Sequence, residues 1–335
     1  RGVPMFIVTN RQVDDAATDV ESAFEPVPNH KGPNELRLAE AVRAGRQWKI
    51  RILPDQITPE MAREAGLDSD IDPQTGAPYF VDHYVARRLL TRINPAAMGP
   101  GRAPTRNAAR GRNLVFFVHG FNNDVAAVLD RAEKFEKQFG VEVLAFTWPA
   151  DGGGIKGVAS YRSDKRDALA STGALDRCLA FIHKHLELIN QDNLRRIEAE
   201  ATSRFARDSE QWDRFFSAAT HRICPFSLTM VLHSMGNYLY KNLLKSSNYR
   251  GNLLIFDNVL LVAADTNNQD HVGWAEAIPS RSRTFVTINE NDSALRASRL
   301  KMGEQQKARL GHYPYELLSR KLIYVDFTDA PFVCG

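Results

Sequence analysis

VLHSMGN (231–237) follows the apolar run SLTMVL (227–232) and precedes the helix-like YLYKNLLK (238–245). A polar His233-Ser234 pair and then Gly236 stand where a buried strand turns into a helix. Two readings compete. In one, Ser234 or Asn237 merely caps the helix that follows. In the other, a strained strand-to-helix turn holds the serine oxygen clear of the backbone as a nucleophile. The G-x-S-x-G pattern of such turns is incomplete, because Leu232 stands where the first glycine belongs.

Upstream, VFFVHGFNND (115–124) runs an apolar strand straight into His119-Gly120. It resembles the loop after the third strand of α/β-hydrolases, where the residue following His-Gly lends a backbone N–H to an oxyanion hole. Here that donor is Phe121 or Asn122, and the amide of Met235, next to Ser234, is the other. Acyl transfer needs both because charge collects on a carbonyl oxygen; losing one donor typically costs about 100- to 1000-fold in rate. The alternative is a plain strand-end turn.

The wider chain repeats one grammar. MFIVTN (5–10), WKIRIL (48–53), NLVFFVHG (113–120), VEVLAFTW (141–148), SLTMVLHS (227–234), NVLLVAAD (258–265), RTFVTINE (283–290) and KLIYVDF (321–327) read as strands. Most are continuous apolar runs, as expected of strands buried on both faces of a parallel sheet. Amphipathic stretches at 124–139, 167–189, 237–247 and 292–302 read as the intervening helices. The expected fold class is therefore α/β, a doubly wound, mostly parallel sheet covered by helices on both faces. Residues 93–112, rich in Pro, Gly and Arg, read as a flexible connection. Residues 187–222 read as a helical insertion before the serine strand, either a cap over the site or a plain excursion. Length alone allows two domains, but a single domain over 1–335 is expected.

Composition narrows the partners. The 335 residues are 43% hydrophobic and 25% charged, with a net charge of +3. This is ordinary globular composition, without the dense basic clustering of a nucleic-acid binder. No apolar run reaches the roughly 18 residues of a membrane span. The three cysteines (Cys178, Cys224, Cys334) lack metal-ligand spacing and favour a reducing compartment, hence the cytoplasm. Export stays open, since the chain begins at Arg1 rather than Met. Neither a P-loop nor a strand-linked G-x-G-x-x-G is present. No metal or organic cofactor is expected, and oligomeric state is not legible.

The orienting acid should follow the serine in chain order and the histidine should come last. Asp292 in TFVTINENDSAL (284–295) is favoured, and Asp265 in VLLVAADTN (259–267) is the alternative. Asp292 also suits a helix N-cap. No histidine occurs in TDAPFVCG (328–335), after the final strand. His312 precedes that strand, on the wrong side of the expected loop, His233 adjoins the serine, and His271 is weak. The base is unassigned, with the expectation that the chain stops short of it.

In this order, MFIVTNR, VFFVHGFNN, AFTWPADG, YRSDKRDALAS, LHSMGNY, VLLVAADTNNQD and NENDSALRAS resemble a bacterial α/β-hydrolase family of unknown function, most densely from 113 to 300. The resemblance implies Ser234 as nucleophile and Asp292 as acid. Leu232 is no departure from it, since the family often lacks that glycine; the missing C-terminal histidine is one. The expected activity is cleavage of an ester-like bond in a small-molecule or acyl substrate through an acyl-serine. A non-catalytic binding protein on the same fold is the alternative.

Overall fold

The computed structural model describes residues 3–93, 113–150, 157–220, 226–246, 253–299, 308–313 and 318–331. Most of the 93–112 connection, Cys224 and Cys334 lie outside these residues. The chain divides into two compact units, Arg1–Asp55, Leu114–Leu179 and Leu228–Gly335 in the first and Gln56–Asn113 and Ala180–Ser227 in the second. The helical insertion expected at 187–222 thus belongs to a larger unit that takes in 56–113 as well.

In chain order the elements are β1 (Met5–Thr9), β2 (Arg11–Val13), α1 (Val20–Ala23), β3 (Phe24–Pro28), β4 (Arg37–Ala44), β5 (Gln47–Ile52), α2 (Pro59–Ala65) and α3 (Val81–Ile93). Then come β6 (Leu114–Val118), α4 (Val125–Phe139), β7 (Glu142–Thr147), α5 (Gly157–Ala170), α6 (Thr172–Phe205) and α7 (Ser209–Thr220). The chain closes with β8 (Leu228–His233), α8 (Met235–Leu244), β9 (Asn258–Val262), α9 (Val272–Ala275), β10 (Arg283–Ile288), α10 (Ser293–Arg299) and β11 (Leu322–Asp326).

Each apolar run expected to be a strand is one. They join in a nine-stranded sheet of order β11-β10-β9-β8-β6-β7-β1-β4-β5. From β11 to β1 every pairing is parallel. β4 and β5 add an antiparallel edge. The helix expected at 167–189 is instead two helices, broken at Ser171, where the Ser171 hydroxyl donates to Asp167 O and accepts from the Asn10 side chain.

Alternation along β6 explains how the sheet is covered. Phe117 packs on one face with Val128 and Leu129 of α4. Phe116, pointing the other way, meets Phe146 and Phe256. Burying each such ring contributes about 1.5–3 kcal/mol. Helix α4 begins because the Asp124 carboxylate accepts from the Ala127 amide, and ends at Gly140 in the left-handed conformation.

The strand order also locates the site. From β6 the chain passes to β7 on one side and later to β8 on the other. The carboxyl ends of β6 and β8 therefore flank a topological switch point, where doubly wound sheets place their ligands. His119-Gly120 and Ser234 occupy those two ends.

The second unit is helical. Thr58 caps α2, accepting from the Met61 amide, and Gly66 closes it with φ 67°. Tyr84 of α3 donates to Glu64, and Asp82 pairs with His185 of α6 at 2.9 Å. Among the described residues, no helix is long and apolar enough to cross a membrane.

Candidate active site

Ser234 has φ 51° and ψ −117° at the junction of β8 and α8, and its side chain makes no capping bond. A non-glycine residue in this region carries strain of about 1–3 kcal/mol, which persists only where surroundings impose it. The surroundings are identifiable. The Ser234 amide donates to Val262 O at 2.9 Å, and the Ser234 carbonyl accepts from the Asp265 and Asn237 amides. The buried Asn237 side chain reaches the carbonyl oxygens of Leu232, Ser234 and Val262 at 2.9, 3.0 and 3.3 Å. Asn237 is thus neither cap nor bystander: it ties strand, turn and neighbouring strand together.

The facing loop is shaped to approach this turn. A Cβ on Gly120 would lie 2.6 Å from Ser234 Cβ and 2.9 Å from His233 O, and one on Gly236 would lie 2.8 Å from Val118 O. Only glycine allows both contacts. The Asn123 side chain donates to the Gly120 and Phe121 carbonyls, curling the loop on itself. Asn122, with φ 53°, donates its amide to the buried Asp164 carboxylate at 3.2 Å. Met235 begins α8, so its amide has no acceptor within the helix.

A buried scaffold holds His119. Its Nε2 accepts from the Trp148 amide, so Nδ1 carries the proton and donates to Gly120 O. The Trp148 indole returns a bond to His119 O, and the two rings stack within 3° of parallel. Burial, and then the Arg11 guanidinium, push the His119 pKa down to about 3. Arg11, from MFIVTNR, links Thr147, Asn123 O and Ala150 O across the strand ends. The sequence reading did not single out Arg11 and Trp148 and took Asn237 only as a possible cap; the stretches MFIVTNR, AFTWPADG and LHSMGNY were the available signal.

The two candidate acids differ sharply. Asp265 is buried, with Arg309 Nε 3.0 Å from Oδ1 and both side chains 4% exposed. The Nε proton is directed at Ser298 Oγ, so this contact is Coulombic rather than a hydrogen bond. The Tyr161 hydroxyl donates to Asp265 Oδ2 at 3.0 Å, and burial pushes the Tyr161 pKa up. Asp292 is half-buried and accepts from the Leu295 amide through Oδ1, as an N-cap of α10.

The structure corrects the placement of His312. It precedes β11 in the chain, yet Gly311 donates to Ala264 O and accepts from the Asn289 amide, which brings the segment over the carboxyl ends of β9 and β10. A Cβ on Gly311 would collide with the Ala263 and Ala264 backbone. His312 Nε2 donates to Glu290 O at 2.9 Å, and Nδ1 is buried without a hydrogen-bond partner. Burial lowers its pKa, against the raising pull of Glu290 O and, more weakly, Asp292. His271 has both ring nitrogens engaged, with Asn268 O and Tyr324 Oη. His233 is half-buried, and desolvation followed by Arg131 lowers its pKa to about 4.

A parallel sheet of this order, with a strained serine after β8 facing a His-Gly loop after β6, defines the α/β-hydrolase class. The model of the family described as alpha/beta hydrolase of unknown function (DUF900) matches residues 105–191, which hold the His-Gly loop and Trp148 but not Ser234. The family that the motifs resemble is the one this match reports. No curated protein and no solved structure matches the chain.

Proposed function

We propose that this protein is a serine hydrolase of ester-like bonds. The observation that carries the reading is the Ser234 backbone: φ 51°, ψ −117°, no capping bond, and Gly120 packed against its Cβ. Ser234 Oγ attacks the substrate carbonyl while a histidine oriented by Asp292 takes its proton and passes it to the leaving alcohol. The developing oxyanion is met by the amides of Phe121 and Met235; Phe121 is preferred to Asn122, whose amide already serves Asp164. The alcohol leaves, and water then releases the acid from the acyl-serine. Asp292 is the acid in this reading, because Asp265 is committed to Arg309 and Tyr161.

A second reading, a binding protein on a hydrolase fold, draws on the histidines. His119 and His271 have both nitrogens engaged; among the described residues, His233 Nδ1 and His312 Nδ1 are buried without a hydrogen-bond partner, and Asp292 acts on His312. A fluorophosphonate probe separates the readings. The hydrolase should gain the mass of one phosphonate, lost in Ser234→Ala, and an unlabelled native chain supports the binding protein. His312→Ala then decides the base: unchanged labelling removes His312 from that role.

A further inference from the structure

The second unit contains a cavity of about 610 Å³ between the 66–79 loop, α3 and residues 185–196 of α6. That size lies in the range of small-molecule sites, roughly 300–1,000 Å³. The lining carries aliphatic side chains, Leu90, Leu188 and Ile189, beside the polar Arg87, His83 and His185, all from α3 and α6.

Arg87 is the anomaly. Its Nε is buried and has no hydrogen-bond partner. A guanidinium donor withdrawn from water without an acceptor is costly, and native structures normally satisfy such groups. The nearby acids do not answer it. Asp82 faces His185 Nε2 at 2.9 Å. Asp192 is 74% exposed and pairs with Arg195, and Asp68 is exposed. Arg196, the other lining arginine, donates to Asn193.

His83 adds a second polar group. Its ring stacks on Tyr79 at 4.4 Å and meets the edge of His185 at 5.7 Å. Burial first, then His185 and Arg87, lower its pKa to about 4, so the ring is neutral and offers one N–H. Among the described residues, no group of three metal-ligating side chains forms, so these groups are read as contacts to an organic ligand. One arginine and a neutral imidazole match a single negative charge; the adjoining aliphatic side chains match a hydrocarbon chain.

We propose that the second unit binds a small aliphatic carboxylate, its headgroup held by Arg87 and His83 and its chain laid against Leu90, Leu188 and Ile189. The site does not depend on the hydrolase reading.

Isothermal titration of the full chain with octanoate tests it, with 1-octanol and inorganic phosphate as comparison probes. Octanoate should bind with a submillimolar Kd, and neither comparison probe should displace it. Arg87→Gln should weaken binding at least about tenfold, as expected for a lost charge-assisted hydrogen bond. Leu188 is 39% exposed, so Leu188→Asp should fold and, by setting a like charge beside the chain, weaken octanoate similarly. Ser234→Ala should leave the titration unchanged, which keeps this result separate from probe labelling. Absence of octanoate binding, equal binding to both cavity variants, or loss of binding in Ser234→Ala overturns the proposal. Displacement by octanol overturns the role of Arg87, and displacement by phosphate overturns that of the aliphatic side chains.

Discussion

Two neighbouring turns at the carboxyl edge of the sheet share a strained backbone and treat their polar side chains in opposite ways. After β8, Ser234 has φ 51°, and after β9, Ala263 has φ 45°. The first turn leaves its serine without a capping partner. The second leads into Asp265, which Arg309 and Tyr161 hold. Strain alone therefore does not mark the reactive group. On the proposed reading, an uncommitted polar atom on a strained turn does, and a committed one is structural.

The largest test of that contrast is Ser234→Ala. If the uncommitted serine is the nucleophile and a histidine serves it, kcat on p-nitrophenyl acetate should fall by about 10⁶-fold, as when a triad serine is removed. Hydrolysis that survives would make the turn after β8 structural too. The acids come next. Asp292→Asn should lower kcat by about 10⁴-fold through the wrong histidine tautomer. Asp265→Asn should instead act on stability, costing about 3–5 kcal/mol in urea denaturation by leaving Arg309 buried without its charge partner. A reversal of the two phenotypes would transfer the catalytic role to Asp265.

Gly120→Ala sharpens the contrast from the other loop. The new methyl would meet Ser234 Cβ and a backbone carbonyl, neither of which is a flexible chain end. A loss of about 1–3 kcal/mol is expected, the usual range for overpacking, together with slower probe labelling. Labelling at the native rate would show that the two loops do not need their close contact.

A further effect, confined to low pH, is on acid stability. The pKa of His119 is held down to about 3, against 6.5 for an unperturbed histidine. Between these values the unfolded chain binds a proton that the folded chain refuses, so stability rises with pH across the window and is lost as pH falls through it. The slope is about 1.4 kcal/mol per pH unit for one proton. His119→Gln should flatten urea stability plotted against pH between 6.5 and 3. An unchanged slope would mean that other groups govern acid unfolding.

What was legible in the sequence follows from how local each signal is. The parallel strands were readable because burial on both faces makes each a continuous apolar run. β4 was missed because RLAEAVRA carries Glu40, whose charge is answered by Arg51 on the next strand. The helix break at Ser171 depends on Asn10, far away in the chain. The serine turn was readable because β8, Ser234, Gly236 and α8 are contiguous. The choice of acid was less so: the sequence favours Asp292 and keeps Asp265 as an alternative, and the tie of Asp265 to Arg309 is not visible in it. The position of His312 rests on Gly311 packing against the Ala263-Ala264 backbone, and no pattern around RLGHY announces that crossing.

The Asn237 tie has a further consequence, for how the site fails. One side chain in the first turn of α8 spans the carbonyls of Leu232, Ser234 and Val262. The conformation of Ser234 therefore depends on that helical turn as well as on its bonds to Val262 and Asp265. Fraying of the turn releases the tie and lets the serine relax into ordinary backbone space while the buried strands stay paired. Local openings of this kind need less free energy than global unfolding. On warming, the strained conformation of Ser234 is then expected to be lost before the sheet melts, at a rate set by the breathing of that helix end.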